Sequence, residues 1–188
     1  MHTRTLTAAF VFAAGAAIAS SALAGPSDVD VKVQIVEQEV RTTVSFFVPA
    51  SQQRVWEVVT DYERTPQYMR DVQSTKVISR SGDTLRVAQR DQVKFGPFSI
   101  PIETVRDVKH VEPVRTESHI VSGSFKKYDA EIKLVPEPGG TRVLYRSQTI
   151  PESALAAFAG ESTIKKHTEE RFKQLRAEIL RREHVANR

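Results

Sequence analysis

Gln89 and Asp91 stand out first, because they fall on a face that is otherwise apolar. From Leu85 the chain alternates, and Leu85, Val87, Gln89, Asp91, Val93 and Phe95 share one side of an extended strand. Four of those six are apolar, so that side should face inward and carry Gln89 and Asp91 with it. A carboxylate removed from water must be paired or protonated, and Arg106 or Arg146 could supply the partner. The competing arrangement leaves Asp91 at a wet bend near the rim, in an ordinary ion pair.

Two tyrosines lie on comparable faces. Tyr128 alternates in step with Ala130, Ile132 and Leu134, and Tyr145 with Val143. Their hydroxyls either meet a ligand while the rings add apolar wall, or belong to an ordinary core. His119 shares a side with Glu117, Val121 and Gly123 and reads as a surface histidine, with proton transfer as the alternative. His110, His119, His167 and His184 are scattered along the chain, no two of them at metal-ligand spacing on one helix or strand, so no metal site is expected. No Gly-x-Ser-x-Gly elbow, phosphate loop or dinucleotide fingerprint is present, and no cofactor is expected.

The elements that must position these residues read mainly as strands. Val29, Val31, Val33 and Ile35 alternate with polar residues, and Val40 to Val48 returns after a polar turn. Ser51 is placed to cap a helix through Thr60 whose Val55, Trp56, Val58 and Val59 form a stripe. A break at Asp61 to Thr65 and a second short helix from Pro66, carrying Tyr68 and Met69, follow. Strands are expected at about 72–80, 84–95, 100–112, 115–124, 128–136 and 141–149, with turn chemistry at Ser81-Gly82-Asp83 and Glu137-Pro138-Gly139-Gly140. A long helix should run from near Ser153 to Glu183. Its Ile164, Thr168, Phe172, Leu175 and Ile179 share a face, and Glu161/Lys165, Glu169/Lys173 and Glu178/Arg182 pair on the wet side.

These elements predict an α+β fold, a curved antiparallel sheet of six to eight strands wrapped on the long helix. One helix cannot fill a concave sheet where its own residues are small. Leu155 to Gly160 are small or apolar, so a cavity is expected there, with Ala156 and Ala159 on its wall. Phe95-Gly96-Pro97-Phe98 is an unusually apolar hairpin tip. Phe95 and Phe98 either form the cavity entrance or cap the core.

Residues 1–24 read as a cleavable export signal. Arg4 precedes an uncharged run, Leu6 to Ile18, that is shorter than the roughly 20 residues a membrane span needs. Ala22 and Ala24 suit signal-peptidase pockets, which sets the cut after Ala24 and the mature domain at residues 25–188. The competing role is an uncleaved anchor. A periplasmic or secreted location is therefore expected. The chain lacks cysteine and must hold together by its core alone. Its 27 basic and 23 acidic residues give a formal charge of +4, one less without Arg4. No basic stripe interleaved with aromatics supports nucleic-acid binding. Transient contact with an anionic membrane surface stays open, and a monomer is expected.

Several segments together resemble a known superfamily. Val48-Pro49-Ala50-Ser51, Val55-Trp56, Thr60-Asp61-Tyr62-Glu63 and Pro66-Gln67-Tyr68-Met69 are similar to the opening of the helix-grip (SRPBCC) superfamily. It gathers START lipid-transfer domains, polyketide cyclases and dehydrases, and coenzyme Q-binding START-like proteins. Tyr128 to Pro136 and Gly139 to Tyr145 resemble its closing strands, and the likeness spans residues 40–183. An extra strand at Val29 to Val36, and Arg70 where relatives often carry proline, depart from the pattern. The resemblance implies a deep, mostly apolar cavity between sheet and helix. It leaves three functions open: a carrier for a small hydrophobic ligand such as a lipid, isoprenoid or quinone; a cyclase or dehydrase using Asp91, a tyrosine or His119; and an interaction protein with a filled core.

Overall fold

The computed structural model describes residues 29–95, 98–152 and 160–186. Eight strands form one antiparallel sheet in the order β1-β2-β8-β7-β6-β5-β4-β3. They are β1 (Asp30–Val36), β2 (Glu39–Val48), β3 (Val72–Ser81), β4 (Thr84–Phe95), β5 (Phe98–Val111), β6 (Arg115–Gly123), β7 (Phe125–Glu137) and β8 (Gly140–Pro151). Helix α1 (Gln52–Val59) and a 3-10 helix (Tyr62–Gln67) separate β2 from β3, and the long helix α2 (Gly160–Ala186) closes the chain. Among the described residues no helix is long and apolar enough to cross a membrane.

Alternation decides which side of the sheet is covered. In β2, Val40, Thr42, Val44, Phe46 and Val48 are buried and face the helix. The register sets Val44 opposite Tyr145 and Phe46 opposite Val143, so β8 continues the same face. Under the C-terminal half of α2 that face is filled. Leu175 and Ile179 pack with Phe46, Val48, Val55, Trp56, Leu134 and Val143 in one core. The Phe172 ring lies against Phe46 and Tyr145, with ring centroids 6.1 and 5.0 Å away.

Helix α1 starts where expected, with Ser51 Oγ accepting from the Arg54 N–H at 3.2 Å. The next segment differs from the expectation. Instead of a break and a helix from Pro66, Tyr62–Gln67 form one 3-10 helix with Pro66 inside it. Tyr68 and Met69 follow, both donating backbone N–H groups to the Thr65 carbonyl. The cause is tertiary. Tyr62 is anchored in the interior by its hydroxyl, 2.8 Å from His110 Nε2, which turns the chain before proline chemistry can act.

The extra strand β1 is integral to the grip. Val29 and Val31 belong to the core, and the Ile35 N–H donates to Glu161 Oε1 of α2 at 2.8 Å. Glu161 therefore caps the sheet edge as well as the helix surface. Glu178 also departs from its expected wet position. It is 8% exposed, accepts from Arg181 and Arg182, and Arg182 reaches on to Asp61 at 2.7 Å. This cluster ties α2 to the start of the 3-10 helix. Glu169 and Lys173 do pair on the exposed side.

Gly123 is required by close approach. At Gly123 φ is +128°, and a Cβ there would lie 2.1 Å from the Glu103 carbonyl oxygen, where β6 leaves β5.

Candidate functional site

The middle of the sheet is lined by small side chains. Thr104, Thr116, Ser118, Ala130 and Ser147 face α2 from β5 to β8, where a filled core would carry leucine or phenylalanine. From the helix, Thr168 and Phe172 border the space without filling it. A cavity of about 350 Å³ remains, closed further by Tyr68 and Met69. Its walls are mostly apolar, including Val93, Ile100, Ile102, Phe125, Ile132 and Leu175. The small residues were expected on the helix, at Ala156 and Ala159. Those two positions lie outside the described residues, and the sheet itself supplies the missing volume.

One wall of the cavity is strongly polar. Asp91 is 8% exposed, and both its oxygens accept from Gln89 Nε2, at 2.8 and 2.9 Å. The direct cationic partner is Arg171 of α2, whose Nη1 lies 3.3 Å from Asp91 Oδ2. Neither expected partner makes that contact. Arg106 sits diagonally across β4 and β5, so it reaches Gln89 Oε1 at 2.8 Å instead. Arg146 faces the other side of β8 and pairs with Glu131 at 3.1 Å. Arg106 also donates to the Tyr128 hydroxyl at 3.3 Å, its guanidinium 5.4 Å from that ring's centre.

The result is a connected chain from Tyr128 through Arg106, Gln89 and Asp91 to Arg171. Burial works against the charge on Arg171, but the Asp91 carboxylate and the hydroxyl of Tyr128 outweigh it and raise its pKa. Its side chain keeps about 30% exposure because it borders the cavity. Burial, reinforced by Tyr128, pushes the Tyr145 hydroxyl far above the ordinary phenol range, so it stays a neutral donor. The same holds for Tyr62 through burial.

The remaining sequence candidates fall in different places. Gln89, Asp91, Tyr128 and Tyr145 all border the cavity. Leu85 and Val87 are buried but do not. They close a second small core with Val108, against which Tyr62 packs, and Tyr62 separates them from the open space. Phe95 and Phe98 pair at the hairpin end of β4 and β5, but their side chains lie outside what is described. His119 is exposed and bonded to Asp129 at 2.7 Å. Among the described residues no group of His, Asp and Glu could hold a metal ion.

Arg171 was missed, although a signal existed. It lies three residues after Thr168 and four before Leu175, on the stripe that faces the sheet. Thr116, Ser118 and Ser147 were missed as well. Their hydroxyls recur at period two, which reads as a wet face until the sheet order places the helix over it.

The comparisons with known proteins fit this geometry. Residues 48–172 match the family described as polyketide cyclase / dehydrase and lipid transport, and the chain belongs to that family. No curated protein sequence matches. Among solved structures, TTHA0849 from Thermus thermophilus is similar with 20% identity and a TM-score of 0.65, covering 79% of this chain and 99% of that one. The STAR-related lipid transfer protein (fragment 25-204) from Xanthomonas axonopodis shares 15% identity at a TM-score of 0.66, covering 81% and 93%. The Zhui aromatase/cyclase from Streptomyces sp. R1128 shares 12% identity at a TM-score of 0.63, covering 77% and 95%. At these identities the likeness establishes the helix-grip fold.

Proposed function

We propose that this chain is an exported binding or carrier protein for a small hydrophobic molecule, such as a lipid, isoprenoid or quinone. The cavity carries that reading: about 350 Å³ of space, mostly apolar walls, and polar groups gathered on one side. Burial of apolar ligand surface, at roughly 25 cal/mol per Å², supplies affinity, and the polar groups fix orientation. Membership of a family that includes lipid transport supports it. Export rests on the character of residues 1–24, with residues 25–188 as the working domain.

The cyclase or dehydrase reading draws support from the same family and from the aromatase/cyclase likeness. Against it, the Asp91 carboxylate is engaged by Gln89 and Arg171, which opposes its use as a base. Carriage needs no chemical step.

Filling the cavity tests the reading. Thr168→Trp adds a large ring to the cavity face of α2, while Leu175 and Ile179 still hold the helix down. Overpacking should cost about 1–3 kcal/mol. Binding of an uncharged fluorescent quinone analogue should fall sharply in this variant and persist in Lys173→Ala. Equal binding by all three folded proteins would place the probe elsewhere and favour a core that takes no ligand.

A further inference from the structure

The charges inside the cavity do not balance. Arg106 and Arg171 both line it, and so does Asp91, held by Arg171 and Gln89. Glu131 also reaches the wall, but Arg146 holds it at 3.1 Å. Arg171 therefore has an anionic partner in Asp91. Among the described residues, the hydrogen-bond acceptors of Arg106 are neutral: the Gln89 amide oxygen and the Tyr128 hydroxyl. Its Nε is buried without a hydrogen-bond partner. The residue is half-buried, and among the described residues no carboxylate pairs with its guanidinium.

On the reading that the cavity holds a hydrophobic ligand, we propose that this ligand is an amphipathic carboxylic acid, its carboxylate bound beside Arg106 and Arg171. A planar carboxylate matches the fork of donors that a guanidinium presents. One uncompensated positive charge suits a monoanion, whereas a phosphate monoester carries nearly two negative charges. The hydroxyls of Tyr128 and Tyr145 lie in the same region as further hydrogen-bonding groups. Ile100, Ile102, Val93 and Phe125 form the apolar wall that remains for the chain of the acid.

A matched pair of competitors tests the head group. The full-length gene product is loaded with the uncharged dye N-phenyl-1-naphthylamine, then titrated with dodecanoate below its micelle concentration or with dodecanol below its solubility limit. Dodecanoate should displace the dye at a concentration about tenfold lower or better, a difference of roughly 1.4 kcal/mol. In Arg106→Gln, and separately in Arg171→Gln, the ratio of the two midpoints should fall to within about twofold. Arg106→Lys keeps the charge and should retain part of the preference; Lys173→Ala should retain all of it. Thermal melts of each variant identify any that fail to fold, and either arginine variant alone suffices. Dye binding with equal displacement by acid and alcohol overturns the head-group assignment and leaves the cavity reading standing. A preference for the acid that survives both folded glutamine variants also overturns it. Failure of the dye to bind the wild type contradicts the cavity reading itself.

Discussion

At the residue scale, the interior is built from side chains whose neighbours leave them little choice. Trp56 is 4% exposed, packs in the main core and meets His110 edge-on at 5.2 Å. Trp56→Ala should cost about 3–5 kcal/mol in a reversible urea titration. A loss below about 1 kcal/mol would mean that the core closes around the gap. Asp91 illustrates what single residues disclose in advance. Its inward direction follows from alternation along β4, because a strand has a fixed period of two. Its partner does not follow, because Arg171 is 80 residues away and meets it only when α2 lies across the sheet. Leu85 and Val87 share the inward direction, but Tyr62 from another element decides that they border a filled core.

At the element scale, the long helix is fastened along its length. Glu161 reaches β1, Gln174 Oε1 accepts the Arg70 N–H, and Glu178 with Arg182 reaches Asp61. The hydrogen bonds from Arg181 and Arg182 hold the Glu178 carboxyl below its ordinary pKa of 4.5, against burial. A carboxyl with a lowered pKa in the folded state contributes stability that is present above the ordinary value and lost as pH falls through the folded one. Glu178→Gln should therefore be less stable than wild type at pH 7, with the gap narrowing as pH falls below about 4.5. Urea titrations at both pH values measure this, and an equal gap at each would assign Glu178 a packing role only. The strands and helices were legible from period and turn residues. The 3-10 helix was not, because it depends on Tyr62 reaching His110 across 48 residues. Glu178 was assigned to solvent because the i, i+4 pairing rule says nothing about which neighbour covers the pair.

At the scale of the whole molecule, the extra strand β1 lengthens the sheet and gives α2 an additional edge to grip. Antiparallel order with the helix laid over it follows from the element sequence, and the family match over residues 48–172 agrees. The cavity's position could not be read in the same way. It arises where small residues of four different strands meet, which only the sheet order brings together. Export is a separate claim about the chain. Expression in a bacterium with a Sec pathway should yield a periplasmic protein whose N-terminal residue is Gly25, and intact Met1 on cytoplasmic protein would contradict it.

The central claim is that the space between sheet and helix holds a hydrophobic molecule. Native mass spectrometry of the freshly purified protein, before and after organic extraction, tests it most directly. The account predicts a mass excess that extraction removes, a small apolar compound recovered in the solvent, and a smaller excess in Thr168→Trp. A wild-type mass equal to the polypeptide alone, together with no uptake of added fatty acid or quinone, would contradict the account.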